Sequence, residues 1–128
     1  MNPTNCKYTK EHEWARVEGK IGIFGISEFA SKQLGDIVFV DIPQIGTQLT
    51  KGKAMGVVES VKTVSDIYAP LSGKVIERNV ALEGEPAKVN EDPFGSGWLV
   101  KVELSDAGEA AELLDAKAYE DHCAHCGH

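Results

Sequence analysis

The chain has 128 residues, and its 13 basic and 20 acidic side chains leave a formal charge of -7, which excludes the basic footprint that nucleic acid requires. With 42% hydrophobic and 26% charged residues it has an ordinary globular composition, long enough for one core. No run approaches the ~20 apolar residues that span a bilayer, and Cys6, Cys123 and Cys126 lie too near the ends for a disulfide framework. The expectation is a monomeric, cytoplasmic protein of bacterial type, or the processed form of an organellar one.

Residues 1–7 form a loose lead-in. His12–Val17 and Lys20–Gly25 flank Glu18-Gly19 and read as a hairpin. Ser27 then offers a helix N-cap, with Glu28 in the first turn and Gly35 placed to stop a short helix. From Asp36 to Gly84 the pattern is strand and turn. Ile37–Ile42 ends at Pro43, and turn signals recur at Gly46, Lys51-Gly52, Pro70–Gly73 and Glu83-Gly84. Gly73–Val80 and Trp98–Leu104 are further strands, joined by a loop holding Pro86, Asn90, Asp92, Pro93, Gly95 and Gly97. Asp106 and Glu109 have capping-box spacing, and Ala107, Ala110, Ala111, Leu114 and Ala118 follow as one helical face.

Within the strand region, Val57–Ala69 is rich in β-branched residues, holds no glycine or proline, and is too long for one ordinary strand. Its most polar point, Glu59–Thr63, marks a break, so the stretch becomes a hairpin with Lys62 at or beside its tip. The turn lacks the Asn-Gly or Asp-Gly of a tight hairpin. A lysine presented there, one of eleven in the chain, suits an enzyme that must grip a single amine.

Glu59-Ser60-Val61-Lys62, then Ser65–Pro70 and Ser72-Gly73, resemble the lipoylation segment of the glycine cleavage system H-protein family. Three further blocks resemble the family in order: Tyr8–Trp14, Leu34–Val40, and Val89–Gly95 with Gly97–Leu99. Biotinyl domains usually place methionine beside the lysine, where Val61 and Thr63 stand here. Acyltransferase lipoyl domains typically show aspartate before it. The resemblance implies a mainly β fold, a flattened lipoyl-type barrel or sandwich of two antiparallel sheets, with an inserted helix and a C-terminal helix. It implies one domain over 1–128, its core at about 8–119 and tails at 1–7 and 120–128.

It also implies a non-catalytic carrier with lipoate in amide linkage on Lys62. The arm would take an aminomethyl group from a pyridoxal-phosphate glycine decarboxylase to a folate-dependent aminomethyltransferase. Dihydrolipoamide dehydrogenase would reoxidise it, and lipoate-attaching enzymes would install it. No nucleic acid or membrane partner is implied. Glu59 and Ser65 accompany the lysine in the matched segment. Glu13 and Asp66 match positions that hold the cargo's ammonium, since a nearby carboxylate keeps the nitrogen protonated and unable to expel the sulfur. Gln33 departs from the pattern, because some members carry histidine there. His12 reads as structural and Trp14 as packing.

His122, Cys123, His125 and Cys126 are metal-ligand types at half a zinc site's spacing. Nothing downstream closes such a site, so the expectation is no metal and a dispensable, disordered tail. Two other readings stand beside the carrier: an H-like lipoate relay serving lipoate transfer or sulfur metabolism, and an enzyme using the terminal Cys/His cluster.

Overall fold

The computed structural model describes residues 5–126; the side chains of Ala107 and of 124–126 lie outside that description. The elements in order are β1 (Lys7–Tyr8), β2 (Glu13–Glu18), β3 (Ile21–Ile26), α1 (Glu28–Leu34), β4 (Ile37–Asp41), β5 (Gln48–Leu49), β6 (Ala54–Ser60), β7 (Val64–Tyr68), β8 (Gly73–Arg78), α2 (Ala81–Gly84), α3 (Lys88–Glu91) and β9 (Val100–Leu104). A 3-10 turn (Ala107–Glu112) and α4 (Ala116–Cys126) complete the chain. Six strands form one antiparallel sheet in the order β1-β2-β3-β9-β8-β5, and β4-β6-β7 form a second. Of the two forms expected, this is the sandwich and not a closed barrel.

The first hairpin turns at Gly19, whose φ of 66° is left-handed, and pairs Glu18 with Ile21. In β2 and β3 the inward side chains meet those of β8 and β9. Phe24, Ile26, Val75, Val100 and Val102 pack with Ile37, Val40, Val58 and Ile67 of the small sheet into the main core. α1 starts as its caps require: Ser27 Oγ accepts from Ala30 N at 3.2 Å, and it ends at Gly35 with φ 83°.

A second cluster lies at the other face of the large sheet, where Cys6, Tyr8, Trp14, Ile23, Ala116 and Tyr119 are buried together. The Tyr8 and Tyr119 rings stack at 4.6 Å, and Trp14 Nε1 donates to the Pro93 carbonyl at 3.0 Å. Trp14 is therefore a packing residue, as read from sequence. Its indole covers Gly25 so closely that a Cβ there would sit 2.6 Å from the ring.

The C-terminal region departs from its sequence pattern in three ways. The Asp106 carboxylate accepts from Gly108 N, but Glu109 turns away from the capping box to accept from Ser72 N at 2.8 Å and Ser72 Oγ at 3.0 Å. Leu114 leaves the helix altogether and exchanges two 2.8 Å backbone hydrogen bonds with Tyr8, so a strand bridge interrupts what periodicity reads as continuous helix. Asp115 then caps a new helix through Ala118 N at 2.8 Å, and this helix runs on to Cys126. The stretch after Tyr119, expected as a tail, begins as helix. The loop between β8 and β9 likewise contains two single-turn helices, α2 and α3.

Candidate functional site

Lys62 stands at the tip of the β6–β7 hairpin. Glu59 pairs with Val64, Ser60 N donates to Thr63 O at 2.8 Å, and Val61, Lys62 and Thr63 make the connection. The missing Asn-Gly signal has a physical substitute. Ser60 Oγ accepts from Lys62 N at 3.2 Å and from Thr63 N at 3.1 Å, closing the turn with a side chain where a glycine turn would rely on backbone geometry.

The tip is also tied to the body of the protein. Val61 N donates to Asp36 O at 3.0 Å, at the junction of α1 and β4. Asn90 holds that junction from the far side, donating to Gly35 O at 2.8 Å and accepting from Ile37 N at 2.9 Å. Sequence reading placed Asn90 in a matching block without giving it a role; an amide with both donor and acceptor is what two neighbouring backbone groups of opposite polarity require. Lys62 itself is exposed. Its stem lies over Gly35, where a Cβ would approach Cε to 3.0 Å, and among the described residues nothing holds its amine by hydrogen bond or ion pair.

Along β7, side chains two residues apart share a face. Val64, two residues after Lys62, begins this series, Asp66 follows, and Tyr68 ends it at a cavity of about 420 Å³. Val64 is 60% exposed, a bare apolar step between the lysine and the acid. Thr9, Lys10, Glu11, Glu13, Tyr68 and Leu114 are among the residues that line the cavity.

Glu13 is its chemical centre. Only 2% of the residue is exposed, and its carboxylate accepts from Thr9 Oγ1 at 2.6 Å and from Tyr68 N at 3.2 Å. Burial pushes its pKa up from 4.5 to about 7, while those two donors pull the other way. A buried carboxyl poised near neutrality can meet an incoming amine as acid or as carboxylate.

The other sequence candidates divide. Asp66 is exposed on the β7 face, pairs with Val57 across the hairpin, and is not among the cavity-lining residues. Glu59 and Ser65 are half-buried on the two hairpin strands, and Ser65 Oγ donates to the Asp66 carbonyl at 3.3 Å. Gln33 is exposed. His12 is structural in the sense expected, yet not without partners: its Nδ1 lies 2.7 Å from Tyr119 Oη and its ring packs on Phe29. Thr9, which sequence reading passed over, is the nearest partner of Glu13; its place in the Tyr8–Trp14 block was the available signal. Among the described residues no group of His, Cys, Asp and Glu is arranged to hold a metal. His122 and Cys123 belong to α4, while the side chains of His125 and Cys126 lie outside the described residues.

Two packed antiparallel sheets with an exposed lysine at the tip of the β6–β7 hairpin have the form of a lipoyl-carrier domain. The family model described as glycine cleavage H-protein matches residues 6–126. The glycine cleavage system H protein of Symbiobacterium thermophilum is 58% identical over 118 residues, covering 92% of each chain. That of Bacteroides thetaiotaomicron is 55% identical, covering 92% of this chain and 94% of its own. The crystal structure of a glycine cleavage system H protein from Mycobacterium marinum matches at a TM-score of 0.86 and 38% identity, over 99% of this chain and all of the other. The chain belongs to the glycine cleavage H-protein family.

Proposed function

We propose that this chain is the lipoyl carrier of glycine cleavage, with Lys62 as the attachment residue. The observation that carries the reading is the free Lys62 amine on a turn braced by Ser60 and by the Asp36 carbonyl. A braced backbone with a loose side chain is what an attaching enzyme needs to find one lysine, and what a swinging arm needs at its root. Bound in amide linkage, lipoate supplies a reducible disulfide on a long stem that takes up and gives up the aminomethyl cargo.

The chain's own residues then protect that cargo. The strand from Val64 to Tyr68 alone spans roughly 13 Å, beyond the reach of a bare lysine. Val64 and Asp66 would form the surface that guides an arm lengthened by lipoate's carbon chain towards the cavity. Glu13 would hold the cargo's nitrogen there as ammonium, whose lone pair is then unavailable to expel the sulfur. The nearby positive charge in turn stabilises the Glu13 carboxylate, so the proton rests on nitrogen. Thr9 and the Tyr68 N–H hold the carboxylate in position, and the cavity walls limit water. Asp66, being exposed, gives weaker assistance nearer the tip.

The decarboxylase, the aminomethyltransferase, dihydrolipoamide dehydrogenase and lipoate-attaching enzymes are the partners of this reading, and they perform the chemistry. The protein is a non-catalytic, monomeric, cytoplasmic component. Intact mass of natively produced protein tests the assignment directly: wild type should carry a lipoyl adduct and Lys62→Arg none. Glycine-dependent carbon dioxide exchange with the decarboxylase separates glycine cleavage from an H-like relay. Lipoate on another lysine in Lys62→Arg would overturn the site, and absence of exchange by lipoylated wild type would overturn the pathway.

A further inference from the structure

The cavity wall opposite β7 is the short connection Thr9–His12 between β1 and β2. Thr9 Oγ1 organises it, donating to Glu13 and accepting from Glu11 N at 3.2 Å and Glu13 N at 3.1 Å. The connection does not hold this shape unaided. His12 has a φ of 73°, a left-handed conformation uncommon outside glycine, so the surroundings must impose it.

Two side chains of α4, three residues apart and therefore on one helix face, grip the connection from behind. Tyr119 Oη meets His12 Nδ1 at 2.7 Å and Ser27 Oγ at 2.6 Å. His122 Nε2 lies 3.1 Å from the Lys10 carbonyl. Because a carbonyl only accepts, that nitrogen carries the proton. Lys10 itself lines the cavity.

We infer that His122 is a positioning residue for the Glu13 cavity: its ring N–H holds the Lys10 carbonyl, and so sets how far water enters between the Thr9–His12 connection and the Glu13 carboxyl. The inference rests on the proposed function only for its effect on cargo. Its effect on Glu13 stands without lipoate. The helix that carries the terminal histidines and cysteines is thus a strut behind the pocket, placed there by Leu114's bridge to β1 and by the Tyr8–Tyr119 stack. The titratable groups around the carboxyl are Tyr8, Lys10, Glu11, Lys51, Tyr68 and Glu112, with Lys51 and Glu112 paired to one another at 2.9 Å.

The test compares His122→Phe, which keeps a ring and loses the donor, with His122→Gln, which keeps an N–H donor at similar reach. In the unlipoylated full chain, carboxyl-detected NMR should show Glu13 titrating about one unit lower in the Phe variant, as the loosened wall admits water. The Gln variant should titrate as wild type. In lipoylated, aminomethyl-loaded protein separated from the decarboxylase, formaldehyde release should rise about threefold to tenfold for Phe and return to the wild-type rate for Gln. An unchanged Glu13 titration in the Phe variant overturns the inference, as does a Gln variant that shifts as far as Phe. If Glu13 titration moves as expected but release is indifferent both to His122→Phe and to Glu13→Gln, the positioning stands and the cargo reading of the cavity falls.

Discussion

A buried acid near neutrality has a measurable signature at the scale of one residue. With Glu13's pKa raised from 4.5 to about 7, the folded state binds its proton more tightly than the unfolded chain does. The resulting stabilisation is fully present below the unfolded value and is lost as pH rises through the folded one. The whole loss is at most roughly 3.5 kcal/mol, at ~1.4 kcal/mol per pH unit between the two values. Glu13→Gln has no such titration, so the stability difference between variant and wild type should move in the variant's favour between pH 5 and pH 8. Urea unfolding at both pH values measures it; an equal difference at the two would show that Glu13 titrates as an ordinary carboxyl. On cargo, Glu13→Gln should speed release roughly tenfold or more, and Asp66→Asn less, because a buried, hydrogen-bonded carboxylate holds a cation better than an exposed one. The double variant should fall short of the product of the two if one nitrogen meets both acids, as formaldehyde release from each loaded variant will show. Lys62→Arg should change stability by less than ~0.5 kcal/mol while removing the adduct, since the side chain is exposed.

The hairpin is an element whose tip is supported from outside. Asn90 joins α3 to the α1–β4 junction, the junction's Asp36 carbonyl holds Val61, and Val61 adjoins the lysine. Asn90→Ala leaves two half-buried backbone groups without their partner, which costs roughly 1–3 kcal/mol. It should also quicken hydrogen exchange at the Val61 amide beyond the change expected from global stability alone. If exchange at Val61 and at a core amide such as Val102 quickened equally, Asn90 would be a general stabiliser with no special hold on the tip.

For the whole molecule, α4 closes the second core, and what happens to it is felt at both ends of the chain. Tyr119 is fully buried against Tyr8, so Tyr119→Ala should cost roughly 3–5 kcal/mol in urea unfolding. Acid should loosen the same contact. His12's pKa is lowered chiefly by burial and then by His122, whose ring lies at 5.7 Å, while Glu11 opposes both. A histidine held neutral in the fold contributes stability above its ordinary value of 6.5, and that contribution declines as pH falls towards the lowered one. Wild type should therefore lose stability below about pH 6.5 more steeply than His12→Gln, an effect opposite in sign to that of Glu13.

The local elements were legible because their causes are local. Ser27 and Gly35 bound α1 through their own backbone and hydroxyl chemistry, Gly19 turns the first hairpin, and alternating β-branched residues put Val58 and Ile67 inside and Val64 outside. The ordered blocks around Lys62 were enough to place the chain in its family. Tertiary structure decided the rest, because the partners lie far away in sequence. Leu114 has helical periodicity but bonds to Tyr8, Glu109 has capping-box spacing but bonds to Ser72, and a stretch expected as a tail becomes a helix because Tyr119 finds Tyr8. Glu13 shows the division most plainly. Sequence marked it as a carboxylate worth attention, but only the approach of Tyr68, 55 residues along the chain, and of the Thr9 connection makes it a buried acid with a pocket in front of it.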